Sequence, residues 1–148
     1  MSDWAKIDDS EFQEFAKKVH DAVQAKVMIE SIERSLDLVA RYALKEVKQR
    51  TPVDTGTGRR SWDVTEPHYT GSAFTFDIYN NTEYISFVEN GHRQVVGRYV
   101  PAIGKRLKKP WVEGTFMWKS TEADLRANMD KIIEPETEKA LNQIFGGD

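Results

Sequence analysis

The chain has 148 residues, no cysteine and a formal charge of −3 at neutral pH. That length fits one ordinary domain with room for a core. The absence of cysteine excludes a disulfide framework, a thiolate zinc site and a cysteine nucleophile, and the negative balance argues against a general nucleic-acid binder. An apolar share of 39% beside a charged share of 30% suits a domain with much polar surface, or one that hides part of its surface in an assembly. The opening Met1-Ser2-Asp3-Trp4-Ala5-Lys6 carries no apolar run, so no signal peptide is expected. No stretch approaches the roughly 18 apolar residues of a membrane span. Synthesis in the cytoplasm of the producing cell follows as the expectation.

In chain order, Ser10-Glu11-Phe12-Gln13 has the form of a capping box at a helix start. Phe12, Phe15, Ala16, Val19 and Val23 follow at helical spacing, and Ile29, Ile32, Leu36, Val39, Ala40, Ala43 and Val47 continue in a different phase. The spacing predicts two helices with a break near Ala25–Met28, or one long bent helix, stopped by Pro52. From Ser61 to Asn80 the period becomes two. Trp62 and Val64, then Phe74, Phe76 and Ile78, alternate with polar neighbours around a turn at Tyr69-Thr70-Gly71-Ser72, as half-buried antiparallel strands do. These apolar positions are expected to face the helical stripe of Leu36, Val39 and Ala43. Tyr84–His92 is a short apolar element closed by Gly91. Gln94–Pro110 has no clear period, and between Glu89 and Glu113 the charged residues are Arg93, Arg98, Lys105, Arg106, Lys108 and Lys109, all basic. A return strand is expected within Trp111–Met117. Phe116, Leu125, Met129 and Ile132 suit a helix interrupted by Pro135, with a last short helix over Ala140, Leu141, Ile144 and Phe145 before a Gly146-Gly147 tail. The fold class is α+β: an antiparallel sheet packed against a long N-terminal helix and a C-terminal helix, with a long basic loop.

No arrangement of residues specifies catalysis. His20, His68 and His92 lack ligand spacing, and Asp54, Glu83 and Glu89, the carboxylates available for a Mg²⁺ nuclease, share no spacing either. Gly56-Thr57-Gly58-Arg59-Arg60 lacks the Lys-Ser/Thr ending of a phosphate loop and follows a helix instead of a strand. Asp54 in Pro-Val-Asp-Thr-Gly suits an Asx-turn. Neither a metal nor a cofactor is expected.

Thr51-Pro52-Val53-Asp54-Thr55-Gly56 with Arg59-Arg60-Ser61-Trp62 resembles the "PVDTG-x-LR-S" signature of the minor tail, or head–tail joining, proteins of long-tailed phages and prophages, the tail-completion family. Tyr79–Tyr84 is similar to that family's "xYNNxxYA", Phe87–Arg93 to "YVExGHR", Gly97–Pro101 to "GRFVPG", and Gly114–Met117 to "GxxML". The motifs keep the family's order over about residues 28–135. Thr57-Gly58 replaces the usual single residue and Leu, and Ala102–Pro110 is longer than the common connection.

The resemblance implies one domain over 1–148, with a helical extension (1–27), a family-like core (28–135) and a C-terminal helix and tail (136–148). It implies a non-enzymatic virion protein, made in the bacterial host, that forms a hexameric ring at the head-proximal end of the tail. The expected partners are further copies of the chain, the major tail tube protein and head-completion or connector proteins, with transient passage of DNA and no membrane. A head-closure role in an adjacent neck layer, and a DNA-binding or nuclease protein using the basic loop, are the competing readings. Pro52, Val53, Asp54, Thr55, Gly56, Arg59, Arg60 and Trp62 are expected to form a structural joint between helix and sheet. Glu89, Gly91, His92, Arg93, Arg98, Lys105, Arg106, Lys108 and Lys109 are the candidate contacts to subunits or partners.

Overall fold

No glycine or proline precedes Pro52, so nothing in the first fifty residues breaks a helix. The computed structural model describes residues 9–70 and 73–146, with side chains from residue 13, and shows one continuous helix α1, Asp9–Arg50. Of the two expected forms the single helix is the one adopted, and no break occurs at Ala25–Met28. The shift of apolar phase marks a change of surroundings instead: Val39, Ala43 and Val47 are buried, while Phe15, Val19 and Val23 are exposed. The opening hexapeptide, Gly71-Ser72 of the turn and Gly147 of the tail lie outside the described residues, as do the side chains of Ser10, Glu11 and Phe12 in the capping box.

The second long helix, α4 (Met117–Phe145), packs along α1. Arg50 reaches Thr121 and Asp124 near its start, and Ser31 and Arg34 reach Glu136 further along. The two helices therefore run antiparallel. Pro135 lies inside α4 and does not interrupt it, contrary to expectation. The residues on either side are held against α1: Ile132 and Ile133 pack on the core before it. After it, Ser31 Oγ donates to the Glu136 carbonyl at 3.1 Å and Ala140 is buried. Tertiary packing outweighs the local penalty of the proline ring.

Two small apolar clusters form the core. Val39, Ala43 and Leu125 gather Phe76, Ile78, Met129 and Ile132 around them. Val47, Trp62 and Met117 gather Leu44, Ile85, Val88 and Trp118, with Ile78 shared. The strands are short and paired in four two-stranded antiparallel ladders: β1 (Trp62–Val64) with β4 (Ile78–Asn80), β2 (His68–Tyr69) with β3 (Phe74–Thr75), β5 (Gly91–Arg93) with β8 (Trp111–Glu113), and β6 (Tyr99–Val100) with β7 (Lys105–Arg106). Two short helices, α2 (Thr57–Arg60) and α3 (Ile85–Asn90), complete the chain. Trp62, Phe76 and Ile78 face the helix pair as their alternation predicts. Phe74 is half-buried and sets its ring 4.8 Å from that of Tyr69.

Met117 is fully covered at the centre of its cluster. Met117→Ala should cost about 2–5 kcal/mol in urea denaturation, and Phe76→Ala, at a half-exposed position, should cost less. Glu136 offers a pH test. Hydrogen bonds from Arg34 and then Lys139 hold its carboxyl below the ordinary value of 4.5. A depressed folded-state pKa stabilises above the unfolded value, and that stabilisation is lost as pH falls through the folded one. The advantage of the wild type over Glu136→Gln should be complete at neutral pH and shrink below about pH 4.5, followed by thermal melts across that range.

Candidate assembly surface

The junction after α1 is organised by Thr51, which is 1% exposed. Its Oγ1 donates to the Val47 carbonyl at 2.6 Å and accepts the Trp62 indole N–H at 2.9 Å. Its carbonyl, which Pro52 leaves outside the helical ladder, accepts both Nε and Nη2 of Arg59, at 3.2 and 2.9 Å. Helix end, α2 and β1 are thus tied to one residue. Gly56 takes φ +83°, the left-handed region that glycine enters without steric cost. Arg60 closes the turn with its backbone N–H on the Gly56 carbonyl at 3.0 Å. Pro52, Val53, Asp54 and Thr55 are exposed on the connecting segment.

One detail differs from the expected joint. Asp54 forms no Asx-turn: among the described residues it accepts no hydrogen bond, and the Thr55 hydroxyl instead receives the Thr57 N–H at 3.4 Å. Gly58 is a point of close approach. It lies within α2, and a Cβ there would sit 3.2 Å from the Tyr84 hydroxyl and 3.4 Å from Ile85 Cδ1. Asn80 fixes this approach by donating from Nδ2 to the Gly58 carbonyl at 2.7 Å, while its Oδ1 accepts from the Thr82 N–H and hydroxyl. The joint and α3 together line a groove of about 510 Å³ that includes Pro52, Val53, Tyr84 and Val88.

A second crossing lies where α3 meets the start of α4. Gly91 has φ +82°, and a Cβ there would stand 2.4 Å from the Val112 carbonyl; one on Gly114 would stand 2.2 Å from that of Glu89. Two backbones pass where only glycine fits. Phe116 enters the left-handed region at φ 48° to turn the chain into α4. The Glu89 carboxylate then accepts the backbone N–H groups of Trp118 and Lys119 at 2.9 and 3.0 Å. An ionised acceptor at these otherwise orphaned donors also complements the helix dipole. Glu89 and Gly91 are consequently engaged inside the chain, whereas His92 and the six cations are exposed.

Those cations sit on a built element. β5 pairs with β8, the Gln94 N–H reaches the Pro110 carbonyl at 2.9 Å, Gly97 and Leu107 are bonded, and β6–β7 closes the end. Gly91–Glu113 is one hairpin arm, roughly 30 Å long at the usual strand rise, with Arg106 Nη1 on the Gly97 carbonyl at 2.8 Å as an internal brace. Val95, Val96, Tyr99, Ile103 and Trp111 on it are exposed, Val95 at 66%. None of its six cations forms an ion pair among the described residues. The expected aperiodic loop is a hairpin whose side chains are largely uncovered, with Gln94, Val100 and Leu107 half-buried. Sequence reasoning missed the central role of Thr51, the capping role of Glu89 and the clamp at Asn80. A Thr between a helix and a proline, and the Asn-Asn after a strand, are the local signals of the first and third.

Among the described residues no group of His, Asp or Glu is placed to hold a metal ion, and no helix is long and apolar enough to cross a membrane. The architecture is that of a small α+β protein whose most distinctive surface is an uncovered arm. The family model described as "Bacteriophage HK97-gp10, putative tail-component" matches residues 3–91, more than half of the chain. The protein belongs to this family of phage tail components. No curated protein and no solved structure gives a match. The matched span takes in the first joint, α3 and Glu89 and ends at the foot of the arm.

Thr51→Val keeps the shape of the joint and removes its hydroxyl, leaving the buried Trp62 N–H unpaired. Stability should fall by about 1–3 kcal/mol, measured by denaturant titration, with a shift in tryptophan emission.

Proposed function

We propose that the chain is a non-enzymatic structural protein that forms a closed ring, hexameric, at the head-proximal end of the phage tail. There it ends growth of the tail tube and joins tail to head. Membership in a family of tail components supports the setting. The observation that carries the reading is the Gly91–Glu113 arm, with exposed apolar residues and six cations without acidic partners. A two-stranded hairpin alone is marginal in water, and apolar side chains this exposed on a projecting element mark a contact surface. The partners in this reading are neighbouring copies, the major tail tube protein below and connector proteins above, with DNA crossing the lumen. Arg93, Arg98, Lys105, Arg106, Lys108 and Lys109 make the contacts, and the joint from Pro52 to Trp62 holds the scaffold that presents them.

Native mass spectrometry of the purified chain should show a closed oligomer that loosens as salt screens charge; a monomer at every concentration and salt would count against the ring. Replacing Arg98, Lys105, Lys108 and Lys109 with Ser, which spares the Arg106 brace, should leave the melting temperature nearly unchanged while tails remain incomplete or unjoined to heads. Normal yields of infectious particles from that variant would remove the arm from the mechanism.

A further inference from the structure

The charges of the middle of the chain are segregated. From Ser61 to His92 the sequence holds Asp63, Glu66, Asp77, Glu83 and Glu89 and no Lys or Arg; from Arg93 to Lys109 it holds six cations and no acid. The fold keeps the two blocks apart. The acidic block forms the β1–β4 and β2–β3 ladders and α3, and the basic block forms the arm. Glu89 is engaged at the start of α4. Asp63, Glu66, Asp77 and Glu83 are exposed, and no ion pair links them to the arm among the described residues. Among the described residues both ladders of the block are two-stranded, so neither has a further strand on its edges. Tyr69 at 52% and Tyr79 at 39% exposure add apolar area to the same two ladders, Tyr79 opposite Asp63.

We infer that the arm of one copy docks on the acidic two-ladder face of the next copy, and that this single contact, repeated, builds the oligomer. The inference rests on the ring reading above and names the two faces such a ring needs. A closed ring of identical subunits uses a heterologous interface, in which each chain offers two different surfaces. Arm against arm would set like charges together, and face against face would do the same. Arm against face pairs opposite charges, covers Val95, Val96 and Ile103, and offers strand edges to strand edges. A second copy is the occupant because the complementary charge is on this same chain. Against a protein that has both blocks, a foreign partner is not required to neutralise either.

The test uses two charge-reversed full-length chains. One carries Arg98, Lys105, Lys108 and Lys109→Glu, sparing the Arg106 brace; the other carries Glu66, Asp77 and Glu83→Lys. Circular dichroism confirms that both fold. Each alone should fail to assemble, because its arm and face then repel. Mixed, they should regain an oligomer in which the two chains alternate in equal number, read as mixed masses in native mass spectrometry. Since the chain has no cysteine, Ile103→Cys in one chain and Tyr69→Cys in another report the contact directly by disulfide formation between copies. A wild-type ring accompanied by reversed chains that assemble normally alone, or by a mixture that stays dispersed, overturns the contact and leaves the ring. A wild-type chain that never associates overturns both.

Discussion

Everything beyond α1 hangs on the way Thr51 ends it. A helix terminus leaves carbonyls without partners, and here the following proline prevents the chain from continuing the ladder. The fold satisfies the Thr51 carbonyl with a guanidinium and its hydroxyl with an indole, so that the same residue that stops α1 also aims α2 and β1. Because Trp62 leads directly into the cluster of Val47 and Met117, the hydrogen-bonded stop and the apolar core are two sides of one joint. The glycine at 56 supplies the reversal, and Arg59 and Arg60 are spent on carbonyls of the joint, at Thr51 and Thr55. Their charge serves structure before it serves any partner.

The second crossing repeats the logic with a carboxylate. α4 begins without a side-chain cap of its own, and the cap arrives from Glu89, on a different helix and 29 residues away for Trp118. This couples the foot of the arm to the start of the helix that covers α1. Gly91 and Gly114 let the two strands of the foot lie against α3 with no intervening side chain. The arm is therefore anchored at its base, while among the described residues β6 and β7 at its far end have extensive contact only with each other. A surface element with a fixed root and an uncovered tip suits docking better than a tether would, since less orientational freedom is lost on contact.

How much of this the sequence displays depends on the range of the interaction. Helical periodicity revealed α1 and the apolar stripe of Val39, Ala43 and Val47, because neighbours three and four apart share a face regardless of what covers it. Alternation revealed β1 and β4 for the same reason. The motifs around Gly56 and Gly91 pointed to tight backbone positions and to the family. What stayed hidden is long-range. Nothing near Pro135 announces that Ser31 and Arg34 hold the turn after it, so the local rule predicted a break that packing overrides. Nothing near Glu89 announces Trp118. Gln94–Pro110 reads as a loop because it lacks alternation: only Gln94, Val100 and Leu107 within it are half-buried, too little burial to impose a period of two. Asp54 looked like a turn former by type, but the turn chose the neighbouring hydroxyl.

That missing period is itself informative about the arm. A strand with one buried face alternates, and a strand with none is free to carry valines, lysines and aromatics in any order. Beyond its foot, where Gly91 is buried and Val112 half-buried, the arm comes close to the second pattern, while it is too apolar at Val95, Val96, Tyr99, Ile103 and Trp111 for a segment meant to remain in water. The chain without the arm's six cations carries a charge of −9, from the total of −3, and its acids lie in part on ladders whose edges are also unfilled. Exposed edges are a liability that monomeric proteins blunt with charge or cover. Here one block of edges is blunted with carboxylates and the other with cations, so that each repels its own kind and accepts the other. The same pattern that keeps free chains from aggregating through like edges also selects a single head-to-tail mode of association.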